Sequence, residues 1–254
     1  MSASQPARHP FLGSGETLIF AHRGGSLEVE ENTMAAFAHA VALGYSHIET
    51  DVQATRDGVA VVFHDDTLTR LCGTPERVDE LSWDELNSRR TLGGAPIPRL
   101  DELLAAWPDL KINLEAKSDA AVVPMAEVIE KAGALERICV GSFSARRTSA
   151  LRDRLGPGLC WSPAHAGVLG LWLRGWHLPL ASPGFAVVQV PTHFRGLPVV
   201  TPRFLRAAHG QGVAVHVWTV DDAAEMERLL DMGVDGLMSD RPSLLKRVMA
   251  RRAR

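Results

Sequence analysis

The chain alternates short apolar runs with segments of helical periodicity along most of its length. Nine runs have the length and composition of β-strands, and they lie at residues 18–24, 47–53, 59–65, 110–117, 138–144, 158–162, 185–191, 213–220 and 234–240. Helical patterns separate most of them, and they lie at residues 32–44, 81–90, 100–108, 121–133, 202–212 and 222–233. This alternation predicts an α/β fold, and a (β/α)8 TIM barrel fits the chain length best. A doubly wound sheet is the alternative, although no GxGxxG motif follows the first strand.

Nine strands are one more than this barrel needs, and the excess is explained by a hairpin at 47–65. Only the residues ATRDG separate the second run from the third, whereas a crossover between parallel strands needs about a dozen residues or more. Asp57-Gly58 is a strong turn pair, so we expect the third run to be antiparallel to the second. A two-residue turn centred on this pair would place His64 directly opposite Asp51, with both side chains on one face.

Two of the parallel strands carry polar side chains at alternate positions, which is unusual for strands that helices cover on the outside. These positions are Glu49, Asp51 and Gln53 in run 47–53, and Lys111, Asn113, Glu115 and Lys117 in run 110–117. A half-solvated antiparallel strand would show the same pattern. Two such strands within a βα alternation instead favour polar faces that line the barrel interior or its mouth, where the active sites of this fold lie.

Three carboxylates, Glu49, Asp51 and Glu115, would then converge in the barrel mouth. Carboxylates held close together repel one another and take up protons unless a cation compensates their charge. Their hard oxygen atoms favour Mg²⁺ or Ca²⁺ over Zn²⁺. The alternative is neutralisation by salt bridges to basic side chains, of which the candidates are Arg23, Lys111 and Lys117.

Two histidines occupy matching positions, because His22 ends the first strand and His64 ends the hairpin strand. A lone histidine at a strand end is more often structural than catalytic, but two that converge on carboxylates indicate a general acid and a general base. Zinc ligation is the alternative role, although the chain contains neither HxH nor HExxH. Arg23 and Lys117 supply positive charge for an anionic substrate, and arginine suits the geometry of a phosphate. There is no P-loop and no GxSxG motif, which argues against NTP hydrolysis and acyl-enzyme chemistry.

Composition excludes further classes. The 254 residues include 27 Lys+Arg and 30 Asp+Glu, and this near balance creates no overall basic field, so nucleic acid is not an expected partner. No uninterrupted apolar run approaches the roughly 20 residues that span a bilayer, and no secretory signal is evident. We therefore expect a cytoplasmic protein with no transmembrane segment and at most a transient membrane contact. A single domain over 1–254 is predicted, with a flexible segment at 1–17 and an insertion-like stretch of loop and helices at 66–109.

Five motifs then occur in a characteristic order: AHRGGSLEVEENTMAAFAHAVALGY, HIETDVQATRDGVAVVFHDDTLTR, NLEAK, HVWTVDD and VDGLMSDRP. Together they resemble the glycerophosphodiester phosphodiesterase family, whose members have a metal-dependent barrel related to phosphatidylinositol-specific phospholipase C. The resemblance runs from about residue 18 to 245. The chain departs from the family pattern at Glu30, Asp221 and Ser239, where proline, asparagine and threonine are usual.

The resemblance implies hydrolysis of a glycerophosphodiester to glycerol 3-phosphate and an alcohol, with a cyclic phosphate formed by the glycerol 2-hydroxyl and opened by water. It matches His22 and His64 with the catalytic acid/base pair, Glu49, Asp51 and Glu115 with the metal ligands, Arg23 and Lys117 with phosphate-binding positions, and Trp218 with a tryptophan of the substrate cleft. Lysophospholipase D activity is an alternative that rests on the apolar segment 167–180. A non-catalytic phosphate- or lipid-binding barrel is less favoured, since it needs no acid/base pair. The region 165–185 is expected to form an outer barrel helix or, alternatively, a hydrophobic lid or entry to the cleft.

Overall fold

The computed structural model describes residues 9–178 and 184–252. The strands are β1 (Leu18–His22), β2 (His47–Ala54), β3 (Ala60–Val62), β4 (Lys111–Ala116), β5 (Ile138–Gly141), β6 (Cys160–Trp161), β7 (Val187–Pro191), β8 (His193–Phe194), β9 (Leu197–Pro198), β10 (Ala214–Trp218) and β11 (Gly236–Ser239). The α-helices are α1 (Met34–Ala42), α2 (Thr69–Cys72), α3 (Trp83–Asn87), α4 (Leu100–Ala106), α5 (Val122–Lys131), α6 (Ala145–Leu155), α7 (His165–Arg174), α8 (Pro202–His209), α9 (Ala223–Met232) and α10 (Pro242–Arg252). Short 3₁₀ helices lie at Pro10–Leu12, Val78–Glu80 and Leu135–Arg137.

Eight parallel strands form a nearly closed barrel with helices on its outside, as predicted. Their order around the sheet is β6-β5-β4-β2-β1-β11-β10-β7, so successive strands of the chain are neighbours in space. The two ends of this path approach each other where the Gln189 backbone N–H donates to Ser162 Oγ at 3.0 Å. All nine predicted strands are present within the described residues. The exposed β8–β9 hairpin, which lies beside β7, was not predicted.

The hairpin at 47–65 is confirmed, because β3 runs antiparallel to β2. Its predicted register is wrong by one residue. Val52 pairs with Val62, and the Asp51 carbonyl accepts a hydrogen bond from the Phe63 N–H at 3.0 Å. Phe63, rather than His64, therefore lies opposite Asp51.

The shape of the turn explains this difference. The Thr55 carbonyl accepts from the Gly58 N–H, and the Thr55 N–H donates to the Val59 carbonyl, both at 3.0 Å. The loop thus contains three residues, with Gly58 at φ +81° in the left-handed position that follows a type I turn. The predicted register required a two-residue turn, and the extra residue shifts every pair by one.

Alternating side chains divide the barrel into two layers. The apolar faces of β2 and β4 pack outward against the helices, and Ile48, Val52, Ile112 and Leu114 are all fully buried there. Inside the barrel, a hydrophobic cluster that includes Phe11, Leu18 and Phe20 fills the amino-terminal end. The polar faces of the same two strands line the barrel interior towards its carboxyl-terminal end, as predicted from their alternation.

Part of the segment 1–17, predicted to be flexible, is packed against the bottom of the barrel. The 3₁₀ helix Pro10–Leu12 buries Phe11 at 0% and Leu12 at 1% exposure. The Phe11 ring contacts His47 edge-on at 5.3 Å, and His47 Nε2 bonds the Phe11 carbonyl at 2.9 Å. These contacts close the barrel end opposite the predicted site. Residues 1–8 lie outside the described residues.

The stretch 66–109 has two structural parts. The residues up to Ile97 form a separate small hydrophobic cluster together with the hairpin. This cluster includes Phe63, Leu68 and Leu86. Helix α4 instead packs with the outer layer of the barrel through Leu103 and its neighbours.

Across the described parts of the chain, no helix is both long enough and apolar enough to cross a bilayer.

Candidate active site

The carboxyl ends of the barrel strands surround a cavity of about 1000 Å³. Seven of the eight predicted site residues line it, namely His22, Arg23, Glu49, His64, Glu115, Lys117 and Trp218. The eighth, Asp51, is 1% exposed and lies behind the cavity wall, in contact with lining residues. The tertiary structure thus brings together residues that lie up to 196 positions apart in the chain, from 22 to 218.

The three carboxylates converge because of strand register. Glu49 and Asp51 share one face of β2, and Asp51 pairs with Glu115 of β4 across the parallel ladder. One carboxylate oxygen from each of the three lies within 4.8 Å of the others. Asn32, at φ +57°, turns inward and donates from Nδ2 to Asp51 Oδ2 at 3.0 Å, which orients that carboxylate.

The salt bridges considered as an alternative are also present. Lys117 Nζ lies 3.3 Å from Glu115 and 3.5 Å from Asp51, and Arg23 Nε lies 3.2 Å from Asp51. Lys111 takes no part, because its Nζ donates to a backbone carbonyl of the amino-terminal segment. Both cations contact Asp51, Lys117 also contacts Glu115, and neither side chain forms a salt bridge with Glu49 in the described structure.

The pKa values reflect this uneven distribution of charge. Burial raises the pKa of Glu49 to about 8, and it raises the pKa of Glu115 despite the opposing effect of Lys117. Burial also disfavours ionised Asp51, but Arg23 and Lys117 outweigh it and lower the pKa of Asp51. Of the three carboxylates, only Asp51 therefore has a pKa below its ordinary value. Three hard oxygen donors, two buried and one partly buried, that lack full charge compensation could hold a divalent cation.

His22 is held between two carboxylates. Its Nδ1 lies 2.7 Å from Asp240 Oδ1, and its Nε2 lies 3.6 Å from Glu49 Oε2. Burial lowers the pKa of His22, but Glu49 and Asp240 outweigh burial and raise it to about 9. Asp240 was not among the predicted site residues, although its place directly after β11, at a strand carboxyl end, was a signal that could have found it.

Two of the departures from the family pattern meet behind this histidine. Asp221 Oδ1 accepts from Ser239 Oγ at 2.9 Å and from the Asp240 backbone N–H at 2.7 Å. A carboxylate that accepts both bonds fixes the turn that presents Asp240 to His22. The third departure, Glu30, accepts from Thr91 Oγ1 at 2.7 Å and so ties the insertion to the loop after β1.

His64 has a carboxylate partner of its own, since its Nδ1 lies 2.5 Å from Asp65 Oδ1. The loop that follows β3 is held by Gln53, whose Nε2 donates to the Asp65 carbonyl at 3.2 Å and to Asp66 Oδ1 at 3.1 Å. His64 lines the cavity although its predicted pairing with Asp51 is wrong, because β3 ends at Val62 and the chain bends at the histidine. From the polar face of β2, Gln53 thus stabilises the loop that carries His64 and Asp65.

The turn after β1 places Arg23 in the cavity wall and depends on glycine. Gly24 has φ +81°, and a Cβ there would lie 2.6 Å from the Ala36 Cβ and 2.9 Å from the Ala36 backbone carbon. We expect Gly24→Ala to lower the free energy of unfolding by about 2–5 kcal/mol, through left-handed strain together with overpacking. Gly94 has φ +87°, but a Cβ there would meet nothing within 4 Å, so Gly94→Ala should cost only about 1–2 kcal/mol. Urea denaturation of both variants measures the difference, and equal losses would contradict the close packing at Gly24.

One side of the cavity is an apolar wall, formed by Phe143, Val168, Leu169, Phe194 and Leu197. Leu169 is 54% and Leu197 65% exposed, so much of this wall is open to solvent. Helix α7 contributes to it from one side and buries Leu171 against α8 from the other. The region 165–185 therefore combines both predicted roles over its described residues, an outer barrel helix and an apolar entry to the cavity. Residues 179–183 of this region lie outside the described residues.

The chain is similar to known proteins over most of its length. Residues 22–244 match the glycerophosphoryl diester phosphodiesterase family. A Mycobacterium tuberculosis protein named "Probable glycerophosphodiester phosphodiesterase 2" is 41% identical over 251 residues, covering 95% of this chain and 94% of that protein. A Caldanaerobacter subterraneus subsp. tengcongensis protein named glycerophosphodiester phosphodiesterase is 32% identical, covering 91% of this chain and 96% of that protein.

Solved structures share the fold. A phosphodiesterase from Oleispira antarctica, determined in complex with the product sn-glycerol-3-phosphate, matches with a TM-score of 0.76 at 22% identity. The match covers 92% of this chain and 96% of that chain. This likeness extends over nearly the whole barrel.

Proposed function

The chain belongs to the glycerophosphoryl diester phosphodiesterase family, and we propose that it hydrolyses glycerophosphodiesters to glycerol 3-phosphate and a free alcohol. One observation carries the proposal: two histidines, each backed by a carboxylate, share a cavity with a three-carboxylate cluster. Proton transfer and charge neutralisation are what cleavage of a phosphodiester requires. A barrel that only bound phosphate would need the cation site but not the pair of histidines. The product bound by the Oleispira phosphodiesterase is the one proposed here.

In this proposal Glu49, Asp51 and Glu115 hold one divalent cation, Mg²⁺ or Ca²⁺. Support comes from their oxygen chemistry, their mutual distances within 4.8 Å and the raised pKa values of Glu49 and Glu115. When bound, the cation would neutralise and orient the phosphate oxygens of the substrate.

Arg23 and Lys117 are proposed to bind the phosphate. Both line the cavity beside the carboxylate cluster, and their side chains remain 18% and 14% exposed to it. Arginine offers a planar fork of donors, and lysine adds a compact positive charge. Trp218 forms the facing wall together with Phe143, whose ring it meets edge-on at 5.7 Å. The glycerol moiety and the alcohol would lie between this wall and the histidines.

The histidines are proposed to exchange roles in two steps. Asp240 and Asp65 bind the Nδ1 atoms of His22 and His64, so we assign proton exchange with the substrate to the two Nε2 atoms, of which that of His22 lies 3.6 Å from Glu49 Oε2. One histidine takes the proton of the glycerol 2-hydroxyl, whose oxygen forms a bond to phosphorus. The bond from phosphorus to the alcohol oxygen breaks, and the other histidine protonates that oxygen. Water then opens the cyclic phosphate, with the two histidines acting in reverse.

The apolar wall favours a second candidate function, lysophospholipase D activity. A hydrocarbon chain attached to the glycerol would need an apolar surface that is continuous with the reacting centre. Leu169 and Phe194 lie on the same cavity as His22 and Glu49, which provides such a surface. This function would use the same acid/base pair and the same cation site.

A substrate panel tests both functions. Glycerophosphocholine, glycerophosphoethanolamine and lysophosphatidylcholine are incubated with the protein, and the phosphate monoester and the alcohol are both measured. We expect glycerol 3-phosphate from the first two, with a higher kcat/KM than for the lysolipid. A preference for lysophosphatidylcholine would favour the second candidate. Cleavage of none of the three would contradict both, and His64→Ala provides the control for a contaminating activity.

A further inference from the structure

An ion-pair chain connects the two sides of the cavity from behind. Arg70, on α2, donates from Nε to Asp65 Oδ2 at 2.7 Å and from Nη2 to Asp65 Oδ1 at 3.1 Å. It also donates from Nη1 and Nη2 to the Glu31 carboxylate at 2.9 and 2.7 Å. Asp65 bonds His64, and Glu31 accepts from Arg23 Nη1 at 3.1 Å. A single guanidinium therefore contacts the carboxylate behind the histidine and the carboxylate behind the arginine.

The two carboxylates of this chain are more enclosed than the guanidinium that joins them. The side chain of Glu31 is 10% and that of Asp65 23% exposed, against 46% for Arg70. Burial raises the pKa of Asp65, but hydrogen bonds from Arg70 and His64 outweigh burial and lower it. Asp65 and Glu31 would repel each other without a cation between them. Only a planar fork with several donors satisfies both carboxylates at once, and a lysine ammonium does not have this geometry.

We propose that Arg70 is a positioning residue that sets the orientation of His64 and Arg23 relative to each other. It does not line the cavity and is not proposed to react, and it acts through its hydrogen bonds to Asp65 and Glu31. Proton transfer and phosphate binding both depend on placement to within about 1 Å. Loss of the Arg70 hydrogen bonds should therefore lower both the rate of proton transfer and the affinity for the phosphate. The inference rests on the proposed phosphodiesterase function.

The chain offers a matched control for the stability of such an ion pair. Arg89 lies in the same insertion, and it forms a doubly bonded pair with Glu76, with distances of 2.9 and 2.5 Å. It is 35% exposed and does not line the cavity. Arg89→Gln should therefore reproduce any general effect of losing a bidentate arginine, without disturbing His64 or Arg23.

We expect Arg70→Gln to lower kcat for glycerophosphocholine about 10- to 100-fold and to raise KM, while Arg89→Gln changes neither by more than about twofold. Arg70→Lys should show most of the same decrease in kcat, because lysine restores the charge but not the planar set of donors. Thermal denaturation of both glutamine variants shows whether the folds are equally intact. Equal kcat values for the two glutamine variants, or full recovery in Arg70→Lys, would overturn the proposal.

Two further measurements separate positioning from a structural role. In the His64→Ala background, Arg70→Gln should lower kcat much less than in the wild type but should still raise KM, because only the path through Arg23 remains. Equal kcat losses in both backgrounds would overturn the path through His64. Nitrogen-15 NMR of the His64 ring needs no substrate, and Arg70→Gln should change the balance between the Nδ1–H and Nε2–H tautomers, because it releases the carboxylate that orients the ring. An inactive wild-type protein would contradict the proposed function, whereas an unchanged His64 tautomer in Arg70→Gln would contradict this inference.

Discussion

His22→Ala and His64→Ala should each lower kcat for glycerophosphocholine by about 10²–10⁴-fold, the usual contribution of one positioned acid or base. Each histidine is oriented by a carboxylate on Nδ1, so alanine removes the proton-transfer group and leaves the cation site in place. The double variant should lose much less than the product of the two single losses, if the histidines act as a pair. Steady-state kinetics on the three variants measures these effects.

The leaving group distinguishes the two roles. A p-nitrophenyl phosphodiester has a leaving group of low pKa that needs little protonation, so it should rescue the variant that lacks the general acid but not the other. Mg²⁺ titration provides the control: His64→Ala should bind the ion as the wild type does. His22→Ala should bind it at least as tightly, because an imidazolium 3.6 Å from Glu49 opposes a cation there. Loss of metal binding in both variants would make the histidines ligands and would contradict the acid/base proposal.

Chelation should abolish activity, and Mg²⁺ or Ca²⁺ should restore it. Glu49→Gln should remove most of the metal affinity, because a neutral amide then replaces a carboxylate that forms no salt bridge with Arg23 or Lys117. Glu28→Gln is the matched control, since Glu28 is a partly enclosed carboxylate outside the cluster. Isothermal titration calorimetry and activity after exhaustive chelation measure the effect. Full activity in the chelated protein would contradict the metal assignment.

The pH dependence of this binding follows from the raised pKa of Glu49, about 8 in the metal-free protein. A cation must displace the proton, so the apparent affinity should rise between pH 6 and 8, by at most about tenfold per pH unit for one proton. A carboxyl group whose pKa is raised on folding stabilises the folded state at low pH. This contribution is lost as the pH increases from the ordinary pKa of the group through the raised pKa. Metal-free wild-type protein should therefore lose stability over this interval, and Glu49→Gln should lose less. An affinity that is constant from pH 6 to 8 would contradict this prediction.

The alternation of side chains along β2 and β4 was sufficient to place Glu49, Asp51 and Glu115 on the inner face of a barrel. A strand has a period of two residues, so local spacing determines which side chains share a face. The βα alternation likewise predicted the barrel, because parallel strands require long crossovers. The chemistry of the candidate site could be predicted to this extent from short-range geometry.

The tertiary structure decided the features that depend on contacts between distant segments. Asp240 lies 218 positions after His22, and only closure of the barrel brings the two together. The hydrogen bonds from Arg70 to Glu31 likewise form only because the insertion folds back over the loop after β1. The hairpin register depended on a third residue in the turn, which a glycine at φ +81° permits but does not require. Local spacing determines the direction of a side chain, whereas its partner is determined by packing, which depends on the whole chain.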